Sequence, residues 1–347
     1  MEVSLFDYDL PAELVAQYPA ENRTAARLLV LDRRKGGMRH GNVGDLPGFL
    51  DAGDLLVVNE TKVFPARLLG RRVPSGGSVE CLLLGRVDRE RWEALMHPGQ
   101  KLRPGTRVVF EKGSDRLEGE VLERRLHGRR IVRLWSEASP DTEPVIDRVG
   151  HIPLPPYIRR PATDFDRERY QTVYARVRGS VAAPTAGLHL TDGLFDALEK
   201  KGVGRTSITL HVGYGTFEPV RSELVEDHLV EAEWFEVGEA AAGEINAAVR
   251  RGRRVVAVGT TTTRALETAA MSDGTVEARS GMTDLFIRPG HEFRVVGAML
   301  TNFHLPRSSL LMLVAAFGGH QRVLAAYAEA VRLGYRFYSY GDAMLVL

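Results

Sequence analysis

RRVVAVGTTTTRALETAA, residues Arg253–Ala270, reads as a strand that passes through a glycine into a helix. The β-branched run around Val255–Val258 suits a buried extended segment, and Gly259 supplies the corner before the threonines open a helix. The same unit recurs outward along the chain. Upstream, a helix is expected over Glu239–Arg251, and a strand over Gly179–Ala183 leads through PTAGLHL into a helix over Asp192–Lys200. Thr191 is placed to cap that helix and Gly202 to end it in the left-handed region. Downstream, VVGAML reads as a strand, TNFHLPRSS as a loop and LLMLVAAF as a buried helix. A last helix, QRVLAAYAEAVRL, stops at Gly334, and YRFYS is expected to return as a strand before YGDAML. Repeated strand–loop–helix units define an α/β domain, either a distorted barrel or a doubly wound sheet.

Val63–Gly150 reads differently. Short runs (VECLLLGRV, RWEALM, TRVVFE, LEGEVLERR, RRIVRLW) alternate with the turns PSGG, HPGQ, RPG, KGSD and HG. Short runs at regular spacing between Gly/Pro turns indicate antiparallel strands closing into a small barrel. HIPLPPYIRRP follows, where Pro153, Pro155 and Pro156 favour a stiff connector. The expected organisation is a discontinuous α/β domain, 1–62 plus 151–347, carrying an inserted all-β barrel, 63–150.

The bulk composition narrows the function. With 347 residues and 44% hydrophobic content the chain has material for one large core or two. It contains no stretch of about 20 uncharged apolar residues to span a membrane. The opening MEVSLFDYDLPAELVAQYP has acids where a secretory signal carries basic residues, so a cytoplasmic enzyme is expected. One cysteine, Cys81, excludes an internal disulfide and a cysteine metal cluster, and no metal is expected. Net charge is +1, but 63–150 holds 17 Lys/Arg against 13 Asp/Glu, a local excess that suits an RNA-facing module or simply a solvated arginine-rich surface.

Polar residues and glycines gather just after the expected strands: Asn59–Thr61, Pro184–His189, His211–Phe217, Gly259–Arg264, Thr301–His304 and Ser339–Asp342. Strand ends of an α/β fold share one face, where loops and helix N-termini converge on ligands; a plain alternative is that loops are polar in any case. At Gly259–Arg264, free helix N–H groups and the Arg264 guanidinium suit a carboxylate or phosphate, or the threonines merely over-supply an N-cap. Phosphate-loop, HExxH, GxSxG and GxGxxG signatures are lacking, so ATP, metal, serine-nucleophile and dinucleotide chemistry have no support.

Eight strings occur in order from Asn59 to Met344: NETKVFPARL, HIPLPPYI, YQTVYA, SVAAPTAGLHL, LHVGYGTFEPV, VAVGTTTTRALE, LTNFHLP and YRFYSYGDAM. Together they resemble the S-adenosylmethionine:tRNA ribosyltransferase-isomerase family of queuosine biosynthesis. The resemblance implies a barrel-like α/β domain with a β-barrel insertion. It also implies a reaction in which S-adenosylmethionine is a consumed ribosyl donor, no separate cofactor being needed. The acceptor is 7-aminomethyl-7-deazaguanine at the tRNA wobble position; the products are epoxyqueuosine-tRNA, adenine and methionine. Such chemistry needs a base for the 5′ C–H beside the sulfonium, an acid for adenine and a site closed to water.

Within the matching strings, His189, His211 and Asp342 are the acid/base candidates. Thr260, Thr261 and Arg264 are expected to hold the methionine carboxylate, with Asn302 and His304 nearby, and Tyr157, Tyr170 and Tyr174 to stack RNA bases. The chain departs from the family pattern at Glu60, where Asn or Asp is usual, at Glu231, where a second His is common, and at Thr262–Thr263, which replace Ser-Val. Glu233 is the firmer member of its string. Two other classes fit less well: a non-catalytic RNA-binding protein leaves the strand-end clusters without a purpose, and a methyltransferase lacks its glycine-rich first turn. If 63–150 serves RNA, excising it between Thr61 and His151 should weaken tRNA binding more than donor binding. Filter binding and calorimetry on the folded deletion check this, and unchanged tRNA affinity rejects it.

Overall fold

Strands rich in Val and Leu over Leu55–Asn59, Val255–Val258 and Val296–Asn302 are buried on both faces at the centre of the molecule, and such strands require a covering layer on either side. The computed structural model describes residues 1–217 and 219–347. In chain order the first strands are β1 (Arg27–Leu31), β2 (Met38–Asn42), β3 (Leu55–Asn59) and β4 (Thr61–Val63). Next come β5 (Arg67–Val73), β6 (Ser78–Arg86), β7 (Arg91–His97), β8 (Arg107–Lys112), β9 (Asp115–Arg124) and β10 (Arg129–Trp135). The remainder are β11 (Val177–Ser180), β12 (Gly204–Leu210), β13 (Glu233–Val237), β14 (Val255–Val258), β15 (Arg279–Thr283), β16 (Val296–Asn302) and β17 (Ala343–Val346). The helices are α1 (Glu143–Val149), α2 (Asp164–Arg169), α3 (Asp192–Lys200), α4 (Glu239–Arg250), α5 (Thr260–Ala269), α6 (Ser309–Gly318) and α7 (His320–Arg332).

The fold is α/β with an inserted barrel. Nine strands make one mixed sheet in the order β15-β13-β12-β3-β14-β16-β17-β1-β2. Its centre, β12-β3-β14-β16, is parallel, so these four strands end along one edge. β15 and β2 are its two ends, and the sheet is open rather than joined into a ring. One face packs on α4 to α7 through Ile245, Leu266, Met312 and Tyr327. The other packs on α3 and the 3-10 turn Val43–Gly48 through Leu46, Leu194, Phe195 and Leu198. Thr191 caps α3 by accepting the Leu194 N–H at 3.3 Å, and Gly202 adopts φ +83° after it, as the sequence suggests.

β5 to β10 close on themselves in the ring β10-β7-β6-β5-β8-β9, with every pair antiparallel. Closure removes the exposed edges that short strands otherwise present. Val79, Cys81, Leu83, Val108, Leu117 and Val132 fill the interior, and α1 covers one end through Val145 and Ile146. The entering and leaving chains meet: Arg67 N–H donates to His151 at 3.1 Å and His151 N–H to Arg67 at 2.8 Å. At least nine of the segment's basic side chains, Arg67, Arg71, Arg86, Arg91, Arg116, Arg125, Arg129, Arg133 and Arg148, stand in ion pairs with acids of the same segment, which leaves the local positive excess as it is. Such exposed pairs contribute little stability individually.

One expected strand is absent. Tyr335–Ser339 alternates like a strand, but its backbone is a compact turn: Gly341 N–H donates to Tyr338 and Asp342 N–H to Arg336. The final strand starts only at Ala343. It runs antiparallel to β16, pairing Ala343 with Asn302, so the turn reaches the functional edge from the opposite direction.

Glu267 fixes α5 against the start of β16. Its carboxylate, almost fully buried, accepts the N–H groups of Arg294 (2.9 Å), Val295 (3.1 Å) and Val296 (3.0 Å). Glu267→Ala leaves these donors without their acceptor and should cost about 2–4 kcal/mol, with Glu267→Gln less affected. Urea unfolding should show a lower midpoint at unchanged m-value.

Candidate active site

The C-terminal ends of β3, β12, β14 and β16 converge on a cleft walled by Ala182–Ala186, Val212, Thr216, Gly259–Thr261, Thr301–Leu305, Tyr157 and Tyr338. Alternation within β3 and tight turns after each strand bring these segments together. Asn59, fully buried at the end of β3, accepts the N–H groups of Thr61 (3.1 Å) and Leu210 (3.0 Å). Its amide donates to the Leu210 carbonyl (2.9 Å) and Thr261 Oγ1 (3.3 Å), so one side chain joins three of the converging loops.

At the start of α5 the threonines act differently from their expected capping role. Gly259 occupies the cap position at φ +92° and provides no side-chain acceptor. Thr262 and Thr263 turn their hydroxyls back to the carbonyls of Val258 and Gly259. The first N–H groups of α5 are therefore not capped by a side chain, and Thr260 and Thr261 line the cleft. Arg264 lies one turn further on and faces elsewhere. It pairs with Glu233 and donates to the carbonyls of Leu285 (3.0 Å) and Thr283 (3.2 Å), in the wall of a second cavity. The single anion cradle expected from Gly259–Arg264 is thus divided between two cavities.

The three acid/base candidates from the sequence lie behind the cleft wall rather than in it. Asp342 is buried, and its two oxygens accept the N–H groups of Arg27 (2.9 Å) and Arg336 (2.8 Å). It ties the start of β1 to the final turn, and it precedes β17 rather than following a strand. His211 bonds through Nδ1 to Thr61 Oγ1 (2.8 Å), stacks on Trp234 and leaves no room for a side chain at Gly179, where a Cβ would lie 2.4 Å from its Nε2. Burial pushes its pKa down. His189 Nε2 accepts from Asn302 Nδ2 at 3.1 Å, and burial, with Arg336 and Arg23 nearby, lowers its pKa to about 4.

His304 does line the cleft. Burial lowers its pKa to about 3, and its ring lies between Thr301 Oγ1 (3.4 Å) and Tyr327 Oη (3.3 Å), so it is neutral at neutral pH. Asn302 also lines the cleft. Its amide nitrogen holds His189 and the Tyr338 carbonyl, whereas its buried Oδ1 has no partner among the described residues. Of the three tyrosines assigned to base stacking, Tyr157 reaches the cleft and stacks on Tyr338 at 4.4 Å. Tyr170 is fully enclosed against Tyr340, so no base can reach it. Tyr174 packs its ring on Phe195 and against Gly187, which withdraws it from the cleft. Glu60, at a departure from the family pattern, bonds Arg176 (2.7 Å) and Ser207 (2.8 Å).

Tyr338 and the Glu233–Arg264 pair are the features that sequence reasoning missed. Tyr338 sits at φ +70°, a costly conformation for a bulky residue, held by its N–H to Phe303 and by Asn302 on its carbonyl. No local signal marks that strain, because Gly341 is the residue that draws attention to the turn.

A mixed α/β sheet with a closed antiparallel barrel inserted between its strands thus carries a cleft at its parallel strand ends. The chain belongs to the queuosine biosynthesis protein family, whose model matches residues 3–346. Among curated relatives, the S-adenosylmethionine:tRNA ribosyltransferase-isomerases of Anaeromyxobacter sp. (strain Fw109-5) and Heliobacterium modesticaldum are 54% and 51% identical; each alignment covers all of this chain and 99% and 100% of the relative. The crystal structure of S-adenosylmethionine tRNA ribosyltransferase from Thermotoga maritima is 40% identical with a TM-score of 0.57, covering 99% of this chain and 100% of that one.

The buried histidines set a pH limit. His189 folded is pushed below its ordinary value of 6.5 to about 4, so the unfolded chain binds the proton more readily and stability present above about pH 6.5 is lost as pH falls toward 4. The loss from this group is about 3 kcal/mol. Thermal unfolding across this range should show a shallower decline for His189→Gln than for the unsubstituted protein.

Proposed function

We propose that the protein transfers and isomerises the ribosyl moiety of S-adenosylmethionine onto 7-aminomethyl-7-deazaguanine at the tRNA wobble position, releasing adenine and methionine. The observation that carries this reading is the convergence of four parallel strand ends on one cleft, in a chain matched over its full length by enzymes bearing that name. The donor is consumed as a substrate and occupies the cleft. Its mostly apolar wall excludes water, and the N–H groups at the start of α5, with Thr260 and Thr261, offer donors to oxygen atoms of the ribose. His304, neutral and lining the cleft, serves as acceptor for the 5′ proton. His189, His211 and Asp342 act from behind as positioning residues through Asn302, Thr61 and the final turn.

The tRNA enters along the groove between the barrel and the connector, where Arg67, His97, Arg124, Arg159 and Arg160 supply basic side chains. It continues into the cleft where Val181 gives way to Ala182 and Pro156 to Tyr157. The barrel takes part through this wall rather than through its overall charge. No single helix is long and apolar enough to cross a membrane; the reaction we propose takes place in the cytoplasm, where tRNA and the donor meet.

Isotopic label separates ribosyl from methyl transfer. Label in the donor ribose should appear in tRNA, and label in the methyl group should leave as methionine. Methyl label in tRNA overturns the reading. With reversible deprotonation, His304→Gln should stop exchange of the 5′ proton with deuterated water while donor binding persists, and the three positioning residues should slow it less.

A further inference from the structure

Next to the first cleft lies a second, small cavity, and the two share Thr216 and Leu310 in their walls. Their chemistry differs. Among the described residues the first is lined by no acidic or basic side chain other than the neutral imidazole of His304. The second contains Glu233 and Arg264 side by side, each nearly buried at 5% and 7% side-chain exposure.

An ion pair taken out of water is costly unless further partners satisfy it. Glu233 is well supplied: Oε1 accepts the Gly213 N–H at 2.7 Å and the Thr216 hydroxyl at 3.3 Å, and Oε2 accepts from Arg264 Nη1. Arg264 commits one N–H from each of its three nitrogens, so by its chemistry one N–H remains on each terminal nitrogen. A guanidinium and a carboxylate in one wall are the charge complement of an α-amino acid, which carries an anion and a cation on adjacent atoms. Phe286 and Leu313 add an apolar surface beside them.

We propose that the second cavity binds the amino-acid end of the donor, with Arg264 taking its carboxylate, Glu233 its ammonium, and the apolar wall its methylene chain. The inference rests on the reading that S-adenosylmethionine occupies the first cleft. It orients that donor: adenosine lies in the uncharged cleft, and the sulfonium at the junction marked by Thr216 and Leu310. The carboxylate is then held away from the start of α5, which is left to the ribose side.

Calorimetry on the complete protein tests this with S-adenosylmethionine, S-adenosylhomocysteine and 5′-methylthioadenosine, which lacks the amino-acid end. The unsubstituted protein should bind 5′-methylthioadenosine about 100-fold more weakly than S-adenosylhomocysteine, equivalent to one or two charge-assisted bonds. In Glu233→Gln, which loses the partner of the ammonium but keeps Arg264 for the carboxylate, the ratio should fall to about tenfold. Phe286→Trp, which narrows the cavity without touching the ion pair, should reduce the ratio as well and covers the case in which Glu233→Gln does not fold. Equal binding of the three compounds by the unsubstituted protein overturns the inference while leaving donor binding intact. Failure of the folded protein to bind S-adenosylmethionine overturns the underlying reading and the inference with it. A ratio retained in Phe286→Trp and Glu233→Gln places the amino-acid end elsewhere.

Discussion

The side chain of Asn59 is the constraint on which the architecture of the cleft depends. It stands where β3 passes the chain toward the barrel, and it has both donors and its acceptor engaged with the β12 end, Thr61 and Thr261. A buried amide with every valence satisfied fixes geometry in a way that an apolar residue of equal size cannot. Thr61 extends the connection to His211 and Ser180, and Ser180 accepts the Val212 N–H at 2.7 Å. The route into the insertion, the end of β12 and the strand leading to Pro184 are consequently held in one hydrogen-bonded unit.

Most of the fold was legible because it is written in periodicity. The apolar runs of β3, β14 and β16, the caps at Thr191 and Gly202 and the regular turns of the barrel are local signals. Tyr335–Ser339 misled because buried Tyr335 and Phe337 imitate a strand's alternation, although Asp342 and Gly341 hold the backbone in a turn. The clusters after β3, β12, β14 and β16 lie along one edge of the sheet, since parallel strands leave their following loops no other place. Which side chains face the cavity was not legible. His189, His211 and Asp342 share the right loops with Asn302 and His304, but a rotation at one residue turns a side chain from the cleft to the wall behind it. Arg264 shows the same effect over one helical turn of about 5.4 Å.

Division of the polar residues into those lining the cleft and those bracing it also accounts for the burial pattern. Residues that hold others, such as Asn59, Glu267 and Asp342, receive several backbone N–H bonds each. Asn302 has an acceptor without a partner among the described residues, and it lines the cleft. Tyr338 pairs backbone strain with the same location.

The strand order has a consequence for how the molecule is made. β3 lies between β12 and β14, so it finds its neighbours only after residues 204 and 255 have been synthesised, and β1, paired early with β2, gains its second neighbour β17 only after residue 343. The barrel draws all six strands from residues 67–135 and can close much earlier. During translation the insertion is therefore able to form first as an independent body. The apolar strands around it must be kept from wrong partners until the last four-residue strand emerges and completes the sheet beside the cleft.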